Sequence, residues 1–115
     1  MADLIACFTT DNHNRHLHRL INESEWDRIF VVTTPELRRR HKFQKEVLYI
    51  VIDPKKPIDE YVEDIKSNLK GFFLEVGINL VNGEGKDHMA LLSAVMKAGL
   101  GFRLVAVTKN GVEEI

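Results

Sequence analysis

The chain has 115 residues, which fit one domain spanning 1–115. An apolar fraction of 44% beside 29% charge is that of a soluble globular protein, and no apolar run approaches the roughly 18 residues of a membrane span. A net charge of −1 gives no basis for general binding to long nucleic acid, the first residues lack the marks of a signal peptide, and the single cysteine, Cys7, has no intrachain partner, so a cytoplasmic protein with a structural Cys7 is expected.

Leu4 to Thr9 is a continuous apolar run of the kind covered on both faces of a sheet. The polar break Thr10-Asp11-Asn12-His13-Asn14 follows, and then Arg15 to Glu25 places Leu17, Leu20 and Ile21 at helical spacing. Arg28 to Thr33 reads as a second buried strand, closed by Thr34-Pro35. Pro35 and Glu36 start a helix well, and Leu37 to Glu46 continues as a weakly amphipathic, very basic one. Val47 to Ile52 is the third strand, ended by the turn Asp53-Pro-Lys-Lys-Pro57. Ile58, Tyr61, Val62, Ile65, Leu69 and Phe72 mark one helical face, with Gly71 near its end. Val76 to Val81 is the fourth strand, Asn82 to Gly85 a glycine-rich loop, and Lys86 to Ala98 a helix that Gly99 and Gly101 stop. Phe102 to Thr108 is the fifth strand. Asn110-Gly111 is a strong hairpin signal that folds Val112 to Ile115 back as a short antiparallel strand.

Strands alternating with helices predict an α/β, Rossmann-like three-layer sandwich with right-handed crossovers and a mostly parallel sheet. The expected strand order is 3-2-1-4-5, with the C-terminal hairpin strand beside the fifth. The chain then reverses direction between strands 1 and 4, and ligands in open α/β sheets bind at such a switch point. The two loops placed there are Thr9 to Asn14 and Asn82 to His88.

Their residues suit an anionic ligand. Glycines let the backbone approach closely, and the first N–H groups of the following helix are unpaired at its positive end. Thr9, Thr10, Asp11, Asn12 and Asn14 from the first loop, and Asn82, Gly83, Glu84, Gly85 and Lys86 from the second, are the candidate ligand-binding residues. The plain alternatives are a tight turn at Asn82–Lys86 and a helix cap at Thr10–Asn14. Asn82-Gly-Glu-Gly-Lys86 is neither a Walker A loop nor a dinucleotide fingerprint. His88, in the first turn of the helix, is either a phosphate donor or acid–base group or simply a polar residue on an exposed turn. His13, His16 and His18 lack a completing cysteine or carboxylate and read as surface histidines, so no metal and no cofactor is expected. Arg38-Arg39-Arg40-His41-Lys42 reads as a solvated helix face, with an accessory role in drawing in a polyanion as the other reading. The helix Met89 to Leu100 is apolar almost all round and must be covered all round, which predicts a homodimer with the two glycine loops near its axis.

The order of elements, the polar break Thr9-Thr10-Asp11-Asn12 and the stretch Asn79-Leu80-Val81-Asn82-Gly83-Glu84-Gly85-Lys86 together resemble the CARF domains, the CRISPR-associated Rossmann-fold sensors of antiviral defence. The second stretch is similar to that family's Asn-Leu-Thr-Gly-Gly-Thr-Lys signature, although it is one residue longer and has Gly85 where the signature has threonine. The resemblance implies a cyclic oligoadenylate ligand, a tetra- or hexa-adenylate ring, held across a dimer. It implies one of two roles, since the sequence ends at Ile115 without the effector domain common in the family. One is a ligand-binding subunit. The other is a metal-independent ring nuclease, in which a ribose 2′-hydroxyl attacks the neighbouring phosphorus in line, Lys86 and loop amides stabilise charge, and Thr10 or His88 stands near the attacking hydroxyl. A regulatory or structural subunit that binds a mononucleotide, or no nucleotide, is the competing expectation.

Overall fold

The computed structural model describes residues 2–69 and 75–115 of the chain. The elements run β1 (Asp3–Phe8), α1 (Asn14–Asn22), β2 (Ile29–Thr33), α2 (Pro35–Arg40), β3 (Leu48–Val51), α3 (Ile58–Lys66), β4 (Glu75–Asn79), α4 (Gly85–Lys97), β5 (Gly101–Thr108) and β6 (Gly111–Glu114). They form a six-stranded sheet in the order β3-β2-β1-β4-β5-β6. All neighbours are parallel except β5 and β6, whose antiparallel pairing sets Val107 opposite Val112. This is the expected Rossmann-like α/β arrangement, and its switch point lies between β1 and β4.

β1 is buried along its whole length because it has a strand on each side and helices on both faces. Its alternation divides the core in two. Ile5 points into one layer with Val76, Ile78, Tyr61, Ile65, Leu91 and Val95, which packs α3 and α4 on the sheet. Leu4, Ala6 and Phe8 point into the other, with Leu17, Leu20, Ile21 and Leu37 of α1 and α2. Period-two alternation in the strands and three-to-four spacing in the helices is what lets one chain fill both layers.

Three element boundaries differ from the sequence reading. The basic helix ends at Arg40 rather than Glu46: His41 is extended, and Phe43 and Val47 reach the α1 side of the core from non-helical chain, so packing overrides helix propensity there. α1 ends at Asn22, and the Trp26 indole N–H donates to the Leu20 carbonyl at 3.0 Å across that end. α3 ends at Lys66, and the expected helical positions Gly71 and Phe72 lie outside the described residues.

No described helix is long and apolar enough to cross a membrane. One side of α4 lies uncovered. Ala90, Leu91, Ala94 and Val95 are buried, whereas Met89 and Met96 are 64% and 63% exposed. The register of β5 on β4 puts Phe102 beside Val76 and Leu104 beside Ile78, so both exposed side chains stand on the face that α4 covers.

Candidate ligand site at the switch point

The loop after β1 and the loop after β4 meet, and two buried side chains hold them together. Asn82 is 2% exposed. Its Oδ1 accepts from the Thr9 and Thr10 backbone N–H groups at 2.8 and 3.1 Å. Its Nδ2 donates to the Thr10 carbonyl at 2.9 Å and to the Asn12 carbonyl. Every donor and acceptor of that amide is thereby used within the chain. Of the expected ligand residues, Asn82 is thus the strut that fixes the first loop against the second.

Asp87 is the second strut, and the sequence reading missed it. It is 5% exposed, and its Oδ2 accepts from the Thr9 hydroxyl at 2.7 Å and the Glu84 N–H at 2.9 Å. Its Oδ1 accepts from the Tyr61 hydroxyl at 2.5 Å. The carboxylate therefore joins β1, α3 and the glycine loop at the start of α4, where an anion is also favoured by the helix dipole. Burial, and then the carboxylate beside it, pushes the Tyr61 phenol well above its ordinary value. An acidic residue three positions after the helix cap was the one signal available in the sequence.

Gly83 and Gly85 have different surroundings. Gly83 has φ +103°, and a Cβ there would lie 2.7 Å from Cys7 Sγ and 3.0 Å from Thr9 Oγ1. Cys7 is thus part of the floor under the loop, and burial, reinforced by Asp87, pushes its thiol up to about 12. A Cβ on Gly85 would meet nothing within 4 Å. Gly85 and Lys86 are the first two residues of α4 and are exposed, and N–H groups in the first turn have no intrahelical acceptor.

The three candidate catalytic side chains all make contacts with nearby main chain or support the loop. Lys86 Nζ donates to the Pro54 and Lys56 carbonyls at 2.7 and 2.6 Å, tying α4 to the turn between β3 and α3. His88 Nε2 donates to the Asn82 carbonyl at 2.9 Å, which fixes the proton on that nitrogen. Thr10 Oγ1 accepts from the Asn12 N–H at 3.3 Å. Glu84 is exposed beside the helix start, and Asn14, in the first turn of α1, has a buried Oδ1 without a partner.

The basic run is the expected solvated face, with Arg38, Arg39 and Arg40 all exposed, and it also reaches the first loop: Arg40 and His41 bind the Asp11 carboxylate at 2.7 and 2.9 Å, and Arg38 stacks over the Tyr49 ring at 4.6 Å. The hydrogen bond from His41, followed by Arg40, holds the Asp11 carboxyl below its ordinary value. A groove bounded by Thr10, Asp11, Thr34, Arg40 and Lys55 consequently runs over the carboxyl ends of β1, β2 and β3. His16, expected as a surface histidine, is only partly exposed, with its ring against Asn79 of β4 and Val107 of β5. Among the described residues, no three His, Cys, Asp or Glu side chains gather as a metal ion would require.

The arrangement is chemically a rigid cradle. Its struts Asn82 and Asp87 are saturated within the chain, and what it offers outward is backbone N–H at the start of α4, the Thr–Asp–Arg groove, and the charge of Lys86. No protein-family model matches the chain, and a search of curated proteins finds no match.

Proposed function

We propose that this chain binds a cyclic oligoadenylate second messenger at the cleft of a homodimer, as a sensor of the CARF kind in CRISPR-linked signalling. The observation that carries the reading is the meeting of the two loops at the switch point, with the open backbone of Gly85 and Lys86 at the start of α4. A phosphodiester there accepts hydrogen bonds from both N–H groups and lies at the positive end of a thirteen-residue helix. The groove alongside is lined by Arg40 and Lys55 together with Asp11, Glu36 and Asp53, and Arg40 is paired with Asp11, so the backbone N–H groups rather than that groove carry the attraction for a phosphate. The likeness of Asn79–Lys86 to the sensor signature supports a cyclic oligoadenylate as the ligand, and the exposed Met89 and Met96 on α4 support a second copy as the partner.

Binding without turnover is the form we favour. Lys86 and His88 are each engaged with main-chain carbonyls, and Asp87 already places a carboxylate under the loop. The test is incubation of labelled cyclic tetra-adenylate with the protein in a metal chelator, followed by separation of rings from linear fragments. Retained, intact ring that unlabelled ring displaces is the expected result. Linear fragments that disappear in Lys86→Ala and His88→Ala would establish the ring nuclease instead. Retention of a mononucleotide but of neither the tetra- nor the hexa-adenylate ring would overturn the proposal in favour of a mononucleotide-binding subunit.

A further inference from the structure

His16 lies on the inner side of α1, where its ring meets the ends of β4 and β5. Its Nε2 is 3.1 Å from Asn79 Nδ2 and 3.5 Å from the backbone nitrogen of Val107. The Val107 N–H can only donate. Asn79 is fixed in orientation by main chain, because its Nδ2 also donates to the Val105 carbonyl at 2.9 Å and its Oδ1 accepts from the Val81 N–H at 3.4 Å. Two donors therefore point at one ring nitrogen, which must carry a lone pair, and the neutral ring keeps its proton on Nδ1. Asn79 itself is 2% exposed and is the last residue of β4, so the same amide joins α1, β5 and the chain entering the glycine loop.

We propose that His16 is an acid-sensitive catch for the exit of β4: neutral, it holds Asn79 and Val107; protonated, it sets an N–H against two N–H donors and releases the chain that leads into Asn82 and Gly83. The charged groups acting on the ring are His13, just before α1, and Arg19 on it, both of which oppose a further positive charge. β4 and β5 present the Asn79 amide and the main chain of Val105 and Val107, and among the described residues no carboxylate acts on the ring. Burial, followed by those two cations, accordingly lowers the imidazole below its ordinary value. The sign follows. The opened chain binds the proton more readily, so the catch holds fully above about pH 6.5 and weakens as the pH falls below it, by about tenfold in the opening equilibrium per pH unit until the folded imidazole titrates. This device requires no ligand and stands apart from the proposed sensor role.

Histidine nitrogen spectra of the whole chain, recorded from pH 8 to 5, test it. The expected result is His16 as the Nδ1–H tautomer with a midpoint below that of an ordinary histidine. Hydrogen exchange at Val81, Asn82 and Gly83, corrected for its intrinsic pH dependence, should be constant above about pH 6.5 and accelerate about tenfold per unit below it, until the folded imidazole titrates. His16→Gln places an acceptor oxygen at the same reach and should abolish that acceleration. An Nε2–H tautomer, a midpoint at or above the ordinary value, or an unchanged acceleration in His16→Gln would each overturn the proposal, and the first two need only the wild-type protein.

Discussion

Gly83 and Gly85 are separated by one residue and answer to opposite demands. A side chain at Gly83 meets both a left-handed backbone and the Cys7 sulfur, so Gly83→Ala should cost about 2–4 kcal/mol in urea unfolding, the sum of backbone strain and overpacking. Gly85→Ala has open space around it and gains helix propensity, so its stability should be unchanged or higher by about 0.5–1 kcal/mol. If phosphate rests on that backbone, the same variant should nonetheless bind the ring more weakly. Cys7 is a third case. With its thiol raised to about 12, native protein should resist iodoacetamide at pH 8 and react only on unfolding. Because that thiol ionises more easily in the unfolded chain, its contribution to stability is complete below about pH 9 and is lost as the pH rises further. The glycines and the buried cysteine could be read from the sequence, since their signals are local. Asp87 could not, because its meaning depends on Tyr61, which a helix 26 positions earlier carries to the same spot.

Elements with continuous apolar runs, such as β1 and β2, were legible because both faces of an inner strand are covered and nothing polar interrupts them. The basic segment was misread in length because charge pattern says how a stretch is solvated, while Phe43 and Val47 decide where the chain leaves the helix. Its contact with the first loop was not legible, since the Asp11 partner of Arg40 and His41 lies some thirty residues away. α4 was legible as an apolar helix. Its sidedness emerged only with packing: Ala90, Leu91, Ala94 and Val95 fill the core, and Met89, Leu92 and Met96 border a shallow apolar surface. A second copy on that surface makes a definite prediction. Met89→Glu with Met96→Glu should leave circular dichroism and thermal unfolding nearly unchanged, because both side chains are exposed in the single chain, and should shift sedimentation from twice the chain mass to one. A wild-type protein that sediments as a monomer at micromolar concentration would remove the shared cleft.

At the scale of the whole molecule, strand order was the most legible property, because alternating strands and helices with right-handed crossovers leave few topologies open. That order alone brings residues 9–14 and 82–88 together, and the Asn82 and Asp87 hydrogen bonds then fix them as one unit. The chemistry of the ligand is less legible, since a cradle of backbone N–H groups accepts many phosphates and the ring size depends on how two cradles are spaced. A dimer with a two-fold axis favours a ring that contains the same axis, as the cyclic tetra-adenylate does and the hexa-adenylate also does. Calorimetric titration of cyclic tetra-adenylate into the wild-type protein is the most direct test of the proposed sensor. Saturation at one ring per two chains is the predicted result; no heat with either ring, alongside a mononucleotide that binds once per chain, would contradict it.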